Sequence, residues 1–197
     1  PASTQTAINL RTYLSTHAIP TDTATAGETL ALDPANVTVT VLNPPAVPGT
    51  DQNEASVVLR LVFGGQSFLL AGDAGTTAEG WTLSSGRPVA ARVLKVGHHG
   101  SSTATGAAFI AAVDPAVAVI ETGAFNSYGH PDQVVMKRLQ DSGAKVYSTA
   151  ESGTVRIAAT RLSSHVVLTV DDDGPGIPES AREAIFERFH SDRPEAE

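Results

Sequence analysis

Two adjacent histidines, His98 and His99, stand between Gly97 and Gly100 in "LKVGHHGSS" (residues 94–102), directly after a short apolar run. Paired imidazoles in a glycine-fenced turn can be metal ligands, an acid/base pair or simply a polar turn. The partners that the chain brings to them decide which. Cysteine is absent, so any metal must rest on His, Asp and Glu, a donor set suited to zinc or manganese. Asp73 follows the run "SFLLAG", and "TGAFNSYGHP" (122–131) supplies Asn126, Tyr128 and His130. Ser101 and Ser102 are read as caps of a following helix. No G-x-S-x-G elbow is present to make either a nucleophile.

The elements that must position these residues are legible as alternating patterns. Residues 4–17 carry Ala7, Ile8, Leu10 and Leu14 at roughly helical spacing. "VTVTVL" (37–42) alternates as a strand and is stopped by Pro44 and Pro45. "VVLRLVF" and "QSFLLAG" flank Gly64-Gly65, a hairpin signal. Strands follow at 91–96, 116–121, 145–149 and 153–158, with helices at 105–113 and 131–143. Pro131 suits the first helical turn and Gly143 the C-cap. This rhythm predicts an α/β layered domain over residues 1–158. In such sheets catalytic residues gather at the carboxyl ends of strands. Three strands end in candidate ligands: Asp73, the His98–His99 pair, and the segment bearing His130. Carboxylate and imidazole arriving on one rim from separate strands can hold a metal.

Residues 159–165 form a polar joint, followed by a strand (166–170), a turn (171–178) and a helix (179–189). One strand and one helix bury no core of their own, so this strand is expected to join an edge of the main sheet or stay poorly ordered. The charge is uneven. Residues 161–197 hold four Lys/Arg and nine Asp/Glu, a net of −5, which leaves −3 of the total −8 for residues 1–160. Neither part offers a basic face that would by itself attract nucleic acid. No run of the length needed to span a bilayer is present. No signal peptide is visible, and the chain is read as a soluble domain.

"SFLLAGDAG", "ARVLKVGHHGSS" and "NSYGHPDQVVMKRLQDSGAKVYST", preceded by "DQNEASVVLRLVFGGQSFLL", resemble the metallo-β-lactamase-like domain of the ComEC family of competence DNA-uptake proteins, over residues 5–157. The resemblance implies an αββα sandwich with divalent metal between the sheets, cleaving phosphodiesters. By position, Asp73 would be a bridging ligand and His98 or His99 a late ligand, the other orienting it or meeting the substrate phosphate. His130 and Asn126 would line the same rim, so Asp73, His98, His99 and His130 are the candidate catalytic residues. The implied partners are single-stranded DNA and the membrane channel domain of a bacterial inner-membrane parent. The family's leading motif, H-x-H-x-D-H, is absent ahead of the hairpin, where His17 stands alone. The chain is therefore expected to begin midway through the domain, as a partial sandwich with a crippled site and weak metal binding.

"VVLTVDDDGPGIPESAREAIFERFHSDRPE" (166–195) resembles the ATP-binding domain of sensor histidine kinases. Asp172, Gly174 and Gly176 match the box that holds adenine, and "IFERF" (185–189) matches the phenylalanine box. The asparagine-bearing helix that holds magnesium and the later glycine-rich box are absent, so ATP binding is not expected. Three functions follow in order: a metal-dependent hydrolase of DNA uptake, a non-catalytic fragment or fusion product, and an ATP-binding kinase piece.

Overall fold

The computed structural model describes residues 4–32, 37–123, 125–153, 155–161 and 166–172. The chain opens with helix α1 (Gln5–Thr16), capped by the Thr4 hydroxyl, which accepts from the Ala7 amide at 3.3 Å. Its apolar spacing does make a helix, but none of its residues is buried, and Ile8, Leu10 and Tyr13 are exposed. Strands β1 (Thr29–Leu32), β2 (Val37–Asn43), β3 (Val58–Phe63) and β4 (Gln66–Leu70) then form an antiparallel meander. The β3–β4 hairpin closes on Gly64-Gly65, whose φ angles of 52° and 81° are those that the two-residue turn demands.

Beyond β4 the sheet becomes parallel. Helix α2 (Thr76–Ser84) leads to β5 (Val93–Lys95), helix α3 (Ala107–Val113) to β6 (Val117–Ile120), and helix α4 (Gln133–Asp141) to β7 (Lys145–Ser148). The result is one mixed seven-stranded sheet in the order β1-β2-β3-β4-β5-β6-β7. The class is therefore α/β. Asp132 caps α4 through its side chain, 2.9 Å from the Val134 amide, so Pro131 precedes the cap instead of opening the first turn. Ser142, not Gly143, is the C-cap residue.

All three crossover helices pack on one sheet face. Leu69, Leu94, Ala118 and Ile120 form a buried core there with Ala78, Phe109, Ile110, Val113, Val135 and Leu139. β6 is buried at every position, as a central parallel strand should be. The opposite face carries a smaller cluster of Val93, Val117 and Val119, backed by Phe68, Tyr147 and Ile157.

A short helix α5 (Thr149–Ser152) ends this unit. Strand β8 (Val155–Arg161) does not extend the main sheet. It pairs antiparallel with β9 (Val166–Asp172) as a separate two-stranded sheet. The expectation that 166–170 would join the main sheet or stay poorly ordered is corrected here: its partner is β8, which lies immediately before it in sequence. The proposed joint at 159–165 is in part the last three residues of β8. The expected helix at 179–189, like Gly174 and Gly176, lies outside the described residues.

Candidate functional site

Because β4, β5 and β6 are parallel neighbours, their carboxyl ends open onto the same sheet edge. Asp73 follows β4 on a turn tied down by Ser56, whose hydroxyl accepts from the Asp73 amide at 3.1 Å. Ser56 is itself fixed by Asn43, a fully buried amide that donates to the carbonyls of Glu54 and Ser56, at 2.8 Å each. The "GHHG" segment follows β5 as a tight turn over Gly97–Gly100. His98 and His99 both lie in the left-handed region, at φ/ψ of 46°/44° and 55°/22°. Two successive non-glycine residues there are uncommon, and such backbone conformations cluster at functional sites. Gly97 is required by close approach, since a Cβ would lie 2.9 Å from the Ala74 carbonyl oxygen.

This turn separates the two histidines. His99 Nε2 lies 3.3 Å from Asp73 Oδ1, and its Nδ1 lies 2.7 Å from the Glu121 carbonyl oxygen at the end of β6. A carbonyl only accepts, so Nδ1 carries the proton. In the neutral ring Nε2 then presents a lone pair towards the Asp73 carboxylate. Two electron-rich donors facing each other suit a shared cation, and the carbonyl orients the ring as outer-shell partners orient metal-bound histidines. Both side chains stay partly open, at 46% and 42% exposed. Lys95 extends from β5 to donate to the Gly72 carbonyl at 3.2 Å and to pair with Glu121 at 3.6 Å. It was missed from sequence, although a lysine within an otherwise apolar strand was the available signal.

His98 is directed elsewhere. Its amide donates to the Gly72 carbonyl at 3.0 Å, and its ring meets the edge of His130 at a centroid distance of 6.1 Å. Asn126 clamps the His130 backbone, accepting from its amide at 2.9 Å and donating to its carbonyl at 2.7 Å. Asn126 therefore shapes the loop. The rim thus gathers all four candidates, with Asp73 and His99 in contact and His98 and His130 beside each other. No group of three or more His, Cys, Asp or Glu that could hold a metal occurs among the described residues. The residues present fit part of a metal's ligand set and not a full shell.

The segment after the histidines is pinned by a buried acid. Ser101 does not cap α3; its hydroxyl bonds the Thr103 hydroxyl at 3.0 Å. Glu79 of α2, 5% exposed, instead holds the turn just before α3 by accepting from the amides of Thr105 and Gly106. Desolvation raises its carboxyl above the ordinary glutamate value of 4.5, opposed by those two amide bonds. A raised folded-state pKa contributes stability that is present below 4.5 and lost as pH rises through the folded value. The midpoint of the native chain relative to Glu79→Gln should accordingly be highest in acid and decline towards neutrality. Glu79→Ala leaves two amides without their acceptor and should cost about 2 kcal/mol by denaturant melt. A flat pH difference, or a silent Glu79→Ala, would contradict this role.

Comparison with known proteins finds two kinds of relative for this chain. It is 39% identical to ComE operon protein 3 of Bacillus subtilis (strain 168) over 59% of this chain and 15% of that protein. It is 36% identical to competence protein ComA of Neisseria gonorrhoeae over 61% of this chain and 18% of that protein. The chain thus spans less than a fifth of the length of these competence relatives. Residues 133–197 match the family described as histidine kinase-, DNA gyrase B-, and HSP90-like ATPase. Sensor protein ChvG of Agrobacterium fabrum (strain C58 / ATCC 33970) is 34% identical over 33% of this chain and 11% of its own length. Both resemblances seen in the sequence are therefore shown, and the ATPase match reaches upstream to include α4 and β7. Among the described residues no helix is long and apolar enough to cross a membrane.

Proposed function

We propose that the chain carries the carboxyl-terminal part of a metallo-β-lactamase-like hydrolase domain of the DNA-uptake type, directed at phosphodiester bonds of single-stranded DNA. One observation carries the reading: neighbouring parallel strands deliver Asp73 Oδ1 and His99 Nε2 to within 3.3 Å of each other. These two atoms would hold a divalent zinc or manganese ion. When bound, such an ion polarises a phosphoryl oxygen and acidifies its water. His98 and His130, beside the pair, would meet the substrate phosphate. Two donors hold a metal weakly, so the chain as it stands is expected to hydrolyse little or nothing.

In this reading the seven-stranded sheet is half of an αββα sandwich. α2, α3 and α4 form its outer helical layer, and the Val93–Val117–Val119 face is the one a second sheet would cover. The parent would be a bacterial inner-membrane protein whose channel domain passes the DNA. A non-catalytic fragment is the second reading, favoured by the lack of a three-residue ligand cluster among the described residues. Asp172, Gly174 and Gly176 are not expected to bind ATP, for want of the boxes that complete the nucleotide cradle.

The test is a gain of function. The chain alone, given manganese and labelled single-stranded DNA, should cleave no faster than an EDTA control. A chimera extended upstream with a relative's H-x-H-x-D-H segment should gain EDTA-sensitive cleavage, which Asp73→Ala or His99→Ala abolishes. A folded, metal-binding chimera that never cleaves would contradict the proposal.

A further inference from the structure

The loop after β6 ends in a short ladder of rings. The Tyr128 ring lies nearly parallel to that of His130, with centroids 5.9 Å apart and planes inclined by 16°. His130 in turn meets His98 at 6.1 Å and 64°. The outer end of the ladder faces solvent, for Tyr128 is 82% exposed and neighbouring Phe125 is fully exposed. The base of the loop is fixed by the Asn126 bonds to the His130 amide and carbonyl, so the ladder stands on a defined support. Its inner end is the histidine turn that also carries His99, the partner of Asp73.

We propose that Tyr128, seated on His130, is a stacking platform for an unpaired nucleobase of a single-stranded nucleic acid whose backbone runs to the Asp73–His99 pair. An exposed ring lying parallel to another ring offers its outer face to a planar ligand. Duplex bases hide their faces in the stack, and only unpaired ones can use such a platform. The net charge of −8 denies the chain the phosphate attraction on which most nucleic-acid binders depend. Stacking must then supply most of the contact, and binding should depend only weakly on salt. This inference rests on the single-stranded DNA reading above and adds to it the residue that holds the base.

Binding of the full chain to fluorescein-labelled oligo-dT, measured by anisotropy in EDTA, separates stacking from metal chemistry. The expected results are saturable binding with a shallow salt slope, and weaker binding of an abasic oligomer of equal length. Tyr128→Ala should weaken binding about 5- to 150-fold, while Tyr128→Phe, which keeps the ring, stays within about twofold. Because Tyr128 is exposed, its replacement should leave the melting midpoint unchanged, which checks that the variant is folded. Equal binding by native chain and Tyr128→Ala, or equal binding of abasic and base-bearing oligomers, would overturn the platform while leaving the hydrolase reading intact. No binding of oligo-dT by the native chain would overturn the platform too, and the metal and chimera experiments would then judge the hydrolase reading separately.

Discussion

Gly100→Ala is expected to destabilise the chain by about 2–5 kcal/mol and to push the His130 loop away from His98. Two costs combine. Gly100 has φ of 81°, where an L side chain pays about 1–2 kcal/mol. Its new Cβ would also lie 2.7 Å from Pro131 Cβ and 3.2 Å from Pro131 Cα, which must move. Overpacking of that kind adds about 1–3 kcal/mol. The backbone makes the coupling direct, since the Asp132 amide donates to the Gly100 carbonyl at 2.9 Å. Gly65→Ala separates the two costs. Gly65 has the same φ of 81° but nothing within 4 Å of its Cβ position, so it should lose only the conformational part. At roughly 2–4 °C per kcal/mol for a chain of this size, the two midpoints should differ measurably. Equal losses would mean that the histidine turn and the Pro131 loop are not tightly packed together.

Much of this arrangement was legible because it follows from short-range chemistry. Gly64-Gly65 between two largely apolar runs permits little besides a hairpin. The unbroken apolar run of β6 announced a strand covered on both sides. That Asp73 and the histidines end neighbouring strands followed from the alternating pattern, and the sheet order places them on one edge. Other features had no local signal. β1 is only four residues long. α2 reads "TTAEGWTLS", with Gly80 inside it and a negligible apolar stripe. Long-range support holds α2, including the Glu54 carboxylate that accepts from the Ala78 amide at 2.7 Å. Nearby serines look like caps of α3, whereas the turn before it is held by Glu79 from another helix. The tail strand was judged by the segment after it, and its partner lay in the segment before.

The choice between His98 and His99 could not be read from sequence, because adjacent residues differ only in backbone direction. The left-handed pair of φ angles turns His99 to Asp73 and His98 to His130. Metal affinity should follow that division. Each donor of a two-donor site carries a large share of the binding, and removing either leaves one ligand and water. Asp73→Ala and His99→Ala should each weaken manganese or zinc binding by at least about tenfold, the least that even the loss of an outer-shell partner costs. His98→Ala, which removes no donor from the pair, should change it by less than about twofold.

Isothermal titration of manganese and zinc into the native chain and these three variants shows whether Asp73 and His99 share a metal ion. Weak, saturable binding is expected, lost with Asp73 or His99 and retained without His98. A native chain that binds neither ion, an Asp73→Ala isotherm identical to the native one, or a loss caused by His98→Ala instead of His99→Ala would contradict a shared Asp73–His99 site.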